Sequence, residues 1–321
     1  GGGSTYTPGV VKAILSKKDT FPVKEIRAYD IDEERQNDVA IIVKEVVKAN
    51  CPECNFFTTT DPETAFKDSD FIFAQIRVGK YAMREQDEKI ALKHGAVGQE
   101  TCGCGGLAYG LRTIYPMVEI LDMVEKYAAP NHWILNYSNP AAIVALALKK
   151  LRPNARIINI CDMPIGIMGF YAKALGKRPD EIEPRYFGLN HFGWFTQILD
   201  KKTGEDYLPR LHEFFKTPMA AVGDLHPTDK SWMDTFKFMS KMIQDYEDYL
   251  PNTYLQYYLY PKHIVEHEDS NYTRANEVMD GPEKKTFAML DEVIAEGKLK
   301  GTKYEPKPDE LADGHAGYIV V

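Results

Sequence analysis

The sequence lacks any run of about 18 consecutive apolar residues, the length that a membrane-spanning helix needs. Apolar stretches such as residues 141–147 are far too short to cross a bilayer. An excess of positive charge is also absent, because 39 Lys and Arg residues face 47 Asp and Glu residues, for a net charge of −8. The basic residues are scattered along the chain. These absences argue against a membrane and against nucleic acid as partners.

The cysteines do not form the pattern of a disulfide framework. They are five in number and irregularly spaced, which favours free thiols and a cytoplasmic protein. Cys51 and Cys54 form a single CxxC motif, and Cys102 and Cys104 could complete a zinc site with it. We disfavour that site because the spacing matches no common zinc ribbon.

Both ends of the sequence lack the usual signals of a complete chain. There is no initiator methionine, and the chain opens inside a glycine-rich turn that should follow a strand. The apolar residues 318–321 have no capping signal after them. We therefore expect truncation at both ends, with the first strand of the sheet missing.

The composition that remains is that of a globular protein, with 321 residues, 44% of them hydrophobic and 27% charged. Strand-like and helix-like segments alternate through the first half, which predicts an α/β fold with a parallel sheet. We expect a Rossmann-like domain in residues 1–165 and an α+β substrate domain in residues 166–321, incomplete at its C-terminus. The predicted strands are residues 25–30, 55–60, 71–76, 133–136, 156–160, 186–190 and 194–199.

A dinucleotide-binding signal opens the chain. The glycine-rich turn comprises Gly1, Gly2, Gly3, Ser4 and Thr5. Such a turn lets the backbone approach a pyrophosphate, although Tyr6 stands where a third glycine is usual. Asp30 ends the next predicted strand, where a carboxylate binds the ribose hydroxyls of NAD and repels the 2′-phosphate of NADP. Arg77 follows the predicted strand 71–76 at the same edge and is a further cofactor-binding candidate.

A thiol and an imidazole also follow predicted strands. Cys161 and His191 are 30 residues apart, and each lies beside a polar residue. Together they form a plausible incomplete metal shell that leaves positions open for substrate and water. Taken singly, Cys161 is more often a buried structural thiol and His191 a buried histidine.

Several stretches resemble glycoside hydrolase family 4, and in particular its members that cleave 6-phospho-α-glucosides. The resembling stretches are residues 1–8, 76–84, 98–103, 136–142, 159–164, 188–194, 251–258 and 273–277. The family is the NAD-dependent exception among glycosidases that otherwise use two carboxylates. It shares its fold with lactate and malate dehydrogenases. In the family, hydride passes from sugar C3 to NAD, the C2 proton is removed, the C1 substituent is eliminated, water adds and the hydride returns.

The resemblance implies roles for residues at matching positions. Cys161 and His191 would hold Mn²⁺, or another divalent metal, against the sugar hydroxyls. Tyr254 would be the base at C2, and Asp162 the acid that protonates the departing oxygen. Aspartate at that position is similar to family members with α-linked substrates such as maltose 6′-phosphate.

The resemblance also implies a substrate-binding set and an assembly. Arg84 and Arg274 resemble the pair that binds the 6-phosphate, and Asn139 and Asn190 resemble amides that bind hydroxyl groups. Without the family, two ordinary solvated arginines would be the preferred interpretation. Family members commonly associate as homodimers or homotetramers, and their partner is a phosphorylated disaccharide.

Two alternatives remain open. One is an NAD-dependent 2-hydroxy-acid dehydrogenase, which needs no Cys-His metal pair. The other is a sugar-phosphate or NAD sensor without catalytic activity, which needs neither an acid nor a base. Cys104 stands where proline is expected in close relatives of the family.

Overall fold

The computed structural model describes residues 1–216, 230–296 and 318–320. The chain divides into two compact units. The first contains Gly1–Ile160 and the segment that begins at Glu268, and the second contains Cys161–His267. The sequence-based prediction placed residues 166–321 in a single domain. It therefore did not include the return of the chain to the first unit at Glu268.

The first unit alternates helices and strands, and its five strands lie close to the positions that the sequence predicts. Its elements are α1 (Thr7–Leu15), β1 (Glu25–Tyr29), α2 (Glu33–Asn50), β2 (Asn55–Thr59), α3 (Pro62–Phe66), β3 (Phe71–Ala74), α4 (Lys80–Lys93), α5 (Gly103–Tyr127), β4 (Trp133–Asn136), α6 (Ala141–Leu151), β5 (Ile157–Cys161), α12 (Arg274–Val278) and α13 (Lys284–Glu296). A π-helical turn, Met279–Glu283, joins the last two helices.

The parallel sheet is present in two parts. β1 pairs with β2 from Glu25↔Asn55 to Tyr29↔Thr59, and β4 pairs on one side with β3 and on the other with β5. All of these pairs are parallel, and helices connect the strands, so the Rossmann-like α/β prediction is confirmed. α5 and α6 bury Met117, Val144 and their neighbours on the β3–β5 part.

The second unit combines an antiparallel sheet with helices. Its elements are α7 (Met163–Leu175), a 3₁₀ turn (Pro179–Glu181), β6 (Ile182–Leu189), β7 (Phe192–Asp200), α8 (Leu208–Lys216), α9 (Lys230–Asp245), β8 (Leu250–Pro251), a 3₁₀ turn (Thr253–Leu255), α10 (Gln256–Leu259), α11 (Pro261–His267) and the short β9 (Tyr318–Val320). β6 and β7 form a hairpin, and β8 adds to β7.

Helix α7 was not predicted, because Pro164 and two glycines are typical helix breakers. The helix forms because Pro164 occupies its first turn, where a backbone N–H is not needed. Its inner face is apolar, and Ile167 and Tyr171 are fully buried. They pack with Phe195 of β7 and Phe215 of α8 in the core of the second unit.

Within the residues described, none of the helices has the length and apolar character that crossing a membrane requires.

Replacing Phe195 with alanine tests this core. The Phe195 side chain is 0% exposed and contacts the rings of Tyr171 and Tyr186, so Phe195→Ala leaves a cavity. We expect the free energy of unfolding in urea to fall by about 3–5 kcal/mol. Phe187→Ala is the control, because Phe187 belongs to the same hairpin but is 51% exposed. Equal losses in the two variants would contradict the assigned core.

Candidate active site

The glycine turn lies at the carboxyl ends of β1 and β3. Gly2 N donates to the carbonyl of Tyr29, at the end of β1, over 2.8 Å. A Cβ placed on Gly1 would lie 2.1 Å from the carbonyl oxygen of Gln75, just after β3. Only glycine therefore fits this approach of the backbone. The turn leads into α1, at the edge where open α/β sheets bind their ligands.

Asp30 organises the turn through its carboxylate. Its Oδ2 accepts a hydrogen bond from Gly3 N at 2.9 Å, and its Oδ1 accepts one from Asp32 N at 3.1 Å. Each carboxylate oxygen has a second lone pair, so Asp30 can also accept from a ribose. Gly3 O in turn accepts from Arg35 Nε at 2.8 Å. The predicted cofactor residues at positions 1–5 and 30 are thus brought together.

The loops after β3 and β4 also lie together. Ile76 N donates to Ser138 Oγ at 2.9 Å, and Tyr137 N donates to the carbonyl of Ala74 at 2.7 Å. These bonds place Arg77 and the half-buried Asn139 on two adjacent loops of the first unit. The two loops therefore lie side by side at the carboxyl edge of the sheet.

Arg77 belongs to an ionic cluster with Glu100 and Arg84, in which Arg84 is buried and the other two side chains are half-buried. Glu100 Oε1 lies 2.6 Å from Arg77 Nη2, and its Oε2 lies 3.0 Å from Arg84 Nη1. Burial disfavours charge on Arg77, but the neighbouring carboxylate of Glu100 raises the pKa of its guanidinium. Arg77 Nη1 is buried without a hydrogen-bond partner among the residues described. A donor in this state fits a ligand oxygen at this place.

The two candidate phosphate ligands differ in burial. Arg84 is only 8% exposed, so the interpretation as a solvated surface arginine does not hold for it. The side chain of Arg274 is 37% exposed and pairs with Glu277 over 2.7 Å. Both residues belong to the first unit.

In the second unit, Cys161 and His191 are neighbours. Cys161 ends β5, and His191 lies in the two-residue turn between β6 and β7. Their Sγ and Nε2 atoms are 3.5 Å apart, and both side chains are buried. His191 has a φ of 62°, which is uncommon for a residue other than glycine. Burial, and to a smaller extent the charge of Asp162, raise the pKa of the Cys161 thiol to about 11, although a hydrogen bond from Asn190 acts in the opposite direction.

This pair fits two ligands of one metal ion. Bond lengths of about 2.3 Å to sulfur and about 2.1 Å to nitrogen place two adjacent ligand atoms roughly 3.1–3.6 Å apart. The donor set is incomplete, since the described residues contain no group of three or more His, Cys, Asp and Glu side chains that could hold a metal. The remaining positions would then belong to substrate or water. The disfavoured four-cysteine site is not formed in the described part of the chain either.

Tyr254 adjoins the pair. Its ring stacks on the imidazole of His191 with centroids 3.8 Å apart and planes 8° from parallel. Tyr254 lies in the 3₁₀ turn after β8, where its N–H donates to Asn252 Oδ1 at 2.9 Å. Asp162 directly follows Cys161 and is the N-cap residue of α7. Four predicted residues of the second unit therefore share one small region.

Asn252 positions this region, and sequence reasoning did not single it out. Its side chain is 1% exposed, its Nδ2 donates to Tyr186 OH, and its own N–H donates to the carbonyl of Gly193. An asparagine that directly precedes a turn is a typical N-cap residue. That signal was available in the sequence Pro251-Asn252-Thr253.

Comparison with known proteins decides the family. Residues 1–177 match the family 4 glycosyl hydrolases, and residues 186–317 match the C-terminal domain of the family 4 glycosyl hydrolases. The chain belongs to glycoside hydrolase family 4. Its family 4 relative phospho-alpha-glucosidase PagL of Clostridium acetobutylicum is 54% identical over all of this chain and 72% of its own length.

Two crystal structures from family 4 are also similar to the chain. A 6-phospho-alpha-glucosidase from gut microorganisms in complex with NAD and glucose-6-phosphate has a TM-score of 0.89 at 51% identity, covering 95% of this chain and 70% of its own. Another, in complex with NAD and Mn²⁺, has a TM-score of 0.90 at 47% identity, with coverages of 97% and 71%.

The half-buried Glu268 gives the first unit a pH-dependent stability. Burial, together with the charges of Glu88 and Glu277, raises the pKa of Glu268 from 4.5 to about 7. Between these values the folded protein retains a proton that the unfolded chain has lost. Stability therefore falls as the pH rises from 4.5 to 7, and the loss is complete above pH 7.

We expect Glu268→Gln to raise the free energy of unfolding at pH 8 by on the order of 1 kcal/mol, after allowance for solvent screening. The variant should match the wild type near pH 4, where the glutamate is already neutral in both states. Urea titrations at the two pH values measure this difference. Glu266→Gln, at an exposed position, is the control. A gain of the same size at both pH values would refute the protonation account.

Proposed function

We propose that the chain hydrolyses 6-phospho-α-glucosides such as maltose 6′-phosphate, with NAD and Mn²⁺ or another divalent metal as cofactors. One observation carries this proposal: a thiol, an imidazole and a phenol from three separate segments meet within the second unit. A 2-hydroxy-acid dehydrogenase needs no such group, and a sensor needs no base. The similar crystal structures that contain NAD, glucose-6-phosphate and Mn²⁺ support the choice of cofactors and substrate class.

The cofactors would be held by residues that fit them. Gly1, Gly2, Gly3, Ser4, Thr5, Asp30 and Arg77 would bind NAD, and Cys161 and His191 would bind the metal. When bound, NAD would supply a reversible hydride acceptor for C3 of the sugar, and the metal would supply a Lewis acid for the sugar oxygens at C2 and C3.

The chain's own side chains would move the protons. Tyr254 takes the proton from C2, and the electron pair left at C2 expels the C1 substituent. Asp162 gives a proton to the departing oxygen. Stacking on His191 fixes the plane of the Tyr254 ring, and Asn252 fixes the backbone beneath it. Water then adds across the resulting C1=C2 double bond, which places a hydroxyl group on C1 and restores the proton at C2.

Guanidinium and amide groups would bind the substrate. Arg84 and Arg274 bind the 6-phosphate, for which the planar fork of arginine is suited. Asn139 and Asn190 bind sugar hydroxyls. Aspartate at position 162 supports the α preference, as do the names of the similar proteins.

We further propose a cytoplasmic homodimer or homotetramer. The five cysteines are free, which suits a reducing compartment. One face of α5 exposes Leu107, Leu111 and Tyr115, and an apolar stripe of this kind supports self-association.

The central test is hydrolysis of 4-nitrophenyl α-D-glucopyranoside 6-phosphate, followed as nitrophenol release. We expect cleavage only with NAD and a divalent metal, and a loss of about 100-fold or more in kcat/KM for Cys161→Ser, because one of the two protein ligands is removed. The β anomer serves as the substrate control. Undiminished activity in Cys161→Ser after exhaustive chelation would exclude the proposal, and net accumulation of NADH with a hydroxy acid would favour the dehydrogenase.

The role of Tyr254 has a separate test. We expect Tyr254→Phe to lower kcat by roughly 10²–10⁴-fold, the usual contribution of a general base, and to slow the incorporation of deuterium from D₂O at C2 by a similar factor. Mass spectrometry of glucose 6-phosphate measures the incorporation. Tyr257→Phe is a matched control, because Tyr257 packs beside Tyr254 but has no assigned proton. Deuterium incorporation by Tyr254→Phe at the wild-type rate would show that another group is the base.

A further inference from the structure

Glu88 is a buried carboxylate that the proposed mechanism does not use. It lies on α4, one helical turn after Arg84, and is 1% exposed. Oε1 accepts a hydrogen bond from Arg84 Nε at 2.7 Å, and Oε2 accepts one from Ala275 N at 2.9 Å. A buried carboxylate is tolerated when it is paired and hydrogen-bonded. Glu88 meets this requirement through two partners that are 191 positions apart in the sequence, Arg84 and Ala275.

These partners connect Glu88 to both of the proposed phosphate ligands. One is Arg84 itself, and the other is the backbone of α12 at the residue that follows Arg274. Arg84 Nη1 is paired with Glu100. With Nε and Nη1 both held by carboxylates, Nη2 is the nitrogen of Arg84 that these two pairs leave for a ligand oxygen.

The surroundings of Glu88 are closely packed. A Cβ on Gly98 would lie 2.1 Å from the carbonyl oxygen of Glu88, so the loop that carries Glu100 runs against α4 at this point. Thr101 N and Cys102 N both donate to Gln99 Oε1, which fixes that loop. Glu88 therefore lies where α4, the Glu100 loop and α12 meet within the first unit.

We infer that Glu88 is a positioning residue that sets the mutual placement of Arg84 and Arg274 for binding a phosphate monoester. The inference rests on the proposed 6-phosphate role of the two arginines. Glu88 acts through its two hydrogen bonds, one to a guanidinium and one to the helix that carries the second guanidinium. It does not itself contact the substrate.

The test is Glu88→Gln in the full chain with NAD and Mn²⁺. The amide keeps one acceptor oxygen in place of two, so it cannot hold both partners as the carboxylate does. We expect the Kd of glucose 6-phosphate to rise about tenfold, with an equal rise in KM for 4-nitrophenyl α-D-glucopyranoside 6-phosphate. The value of kcat should change by less than about twofold, because the phosphate does not react. The Kd of NAD should stay unchanged.

Glu85→Gln is the matched control. Glu85 lies on the same helix and also accepts from α12, through Asn276 Nδ2 at 2.9 Å, but its other described partner is Lys89 and not an arginine. We expect unchanged glucose 6-phosphate affinity in this variant. An equal loss in Glu85→Gln would show that docking of α12 alone matters, and would overturn the inference.

The remaining outcomes are also decisive. The inference would be overturned if Glu88→Gln bound glucose 6-phosphate with unchanged affinity. It would also be overturned if the affinity for NAD fell by the same factor as that for glucose 6-phosphate. Either result would leave the proposed function intact. A wild-type protein that does not bind glucose 6-phosphate would overturn both. If Glu88→Gln does not fold, Glu88→Asp replaces it, because it keeps the charge but shortens the reach by one methylene. We then expect the same loss of affinity for glucose 6-phosphate, with the affinity for NAD unchanged.

Discussion

The first unit is organised around charges that are largely shielded from water and must therefore be paired. Glu88, Arg84, Glu100 and Arg77 form a continuous chain of alternating sign, linked by contacts of 2.6–3.0 Å. An unpaired member would be costly to bury. The helices and loops that carry these residues are consequently restricted to arrangements in which every member has its partner. The same restriction brings α12 back to α4, since the second oxygen of Glu88 is satisfied by the backbone of α12.

In the second unit, orientation depends on hydrogen bonds and ring stacking. The side chain of Asn252 joins the tyrosine turn to Tyr186 of β6, and the hairpin turn directs His191 inward towards Cys161. The parallel stacking of His191 and Tyr254 then relates the candidate metal ligand to the candidate base. A proton acceptor needs such a fixed geometry more than it needs burial.

Much of the architecture could be predicted from sequence, because strand and helix periodicity is local. The strands from β1 to β5 follow the predicted positions closely, and Cys161 and His191 could be proposed as a pair because each follows a strand. α4 and α7 were missed, since the charged residues of one and the glycines of the other obscure the helical pattern. Glu88 and the return of α12 could not be found in this way. Their contacts join distant segments, and no local pattern encodes the partner of a buried charge.

The return of α12 has a consequence for how the protein is made. The chain must build the whole stretch from Cys161 to His267 before Ala275 can reach Glu88. During synthesis from the N-terminus, the carboxylate of Glu88 therefore lacks its second hydrogen-bond partner until well over 100 further residues have left the ribosome. Long-range closure of this kind slows folding, and the contacts that hold the helix of Arg274 can form during synthesis only after the segment of the second unit has been made.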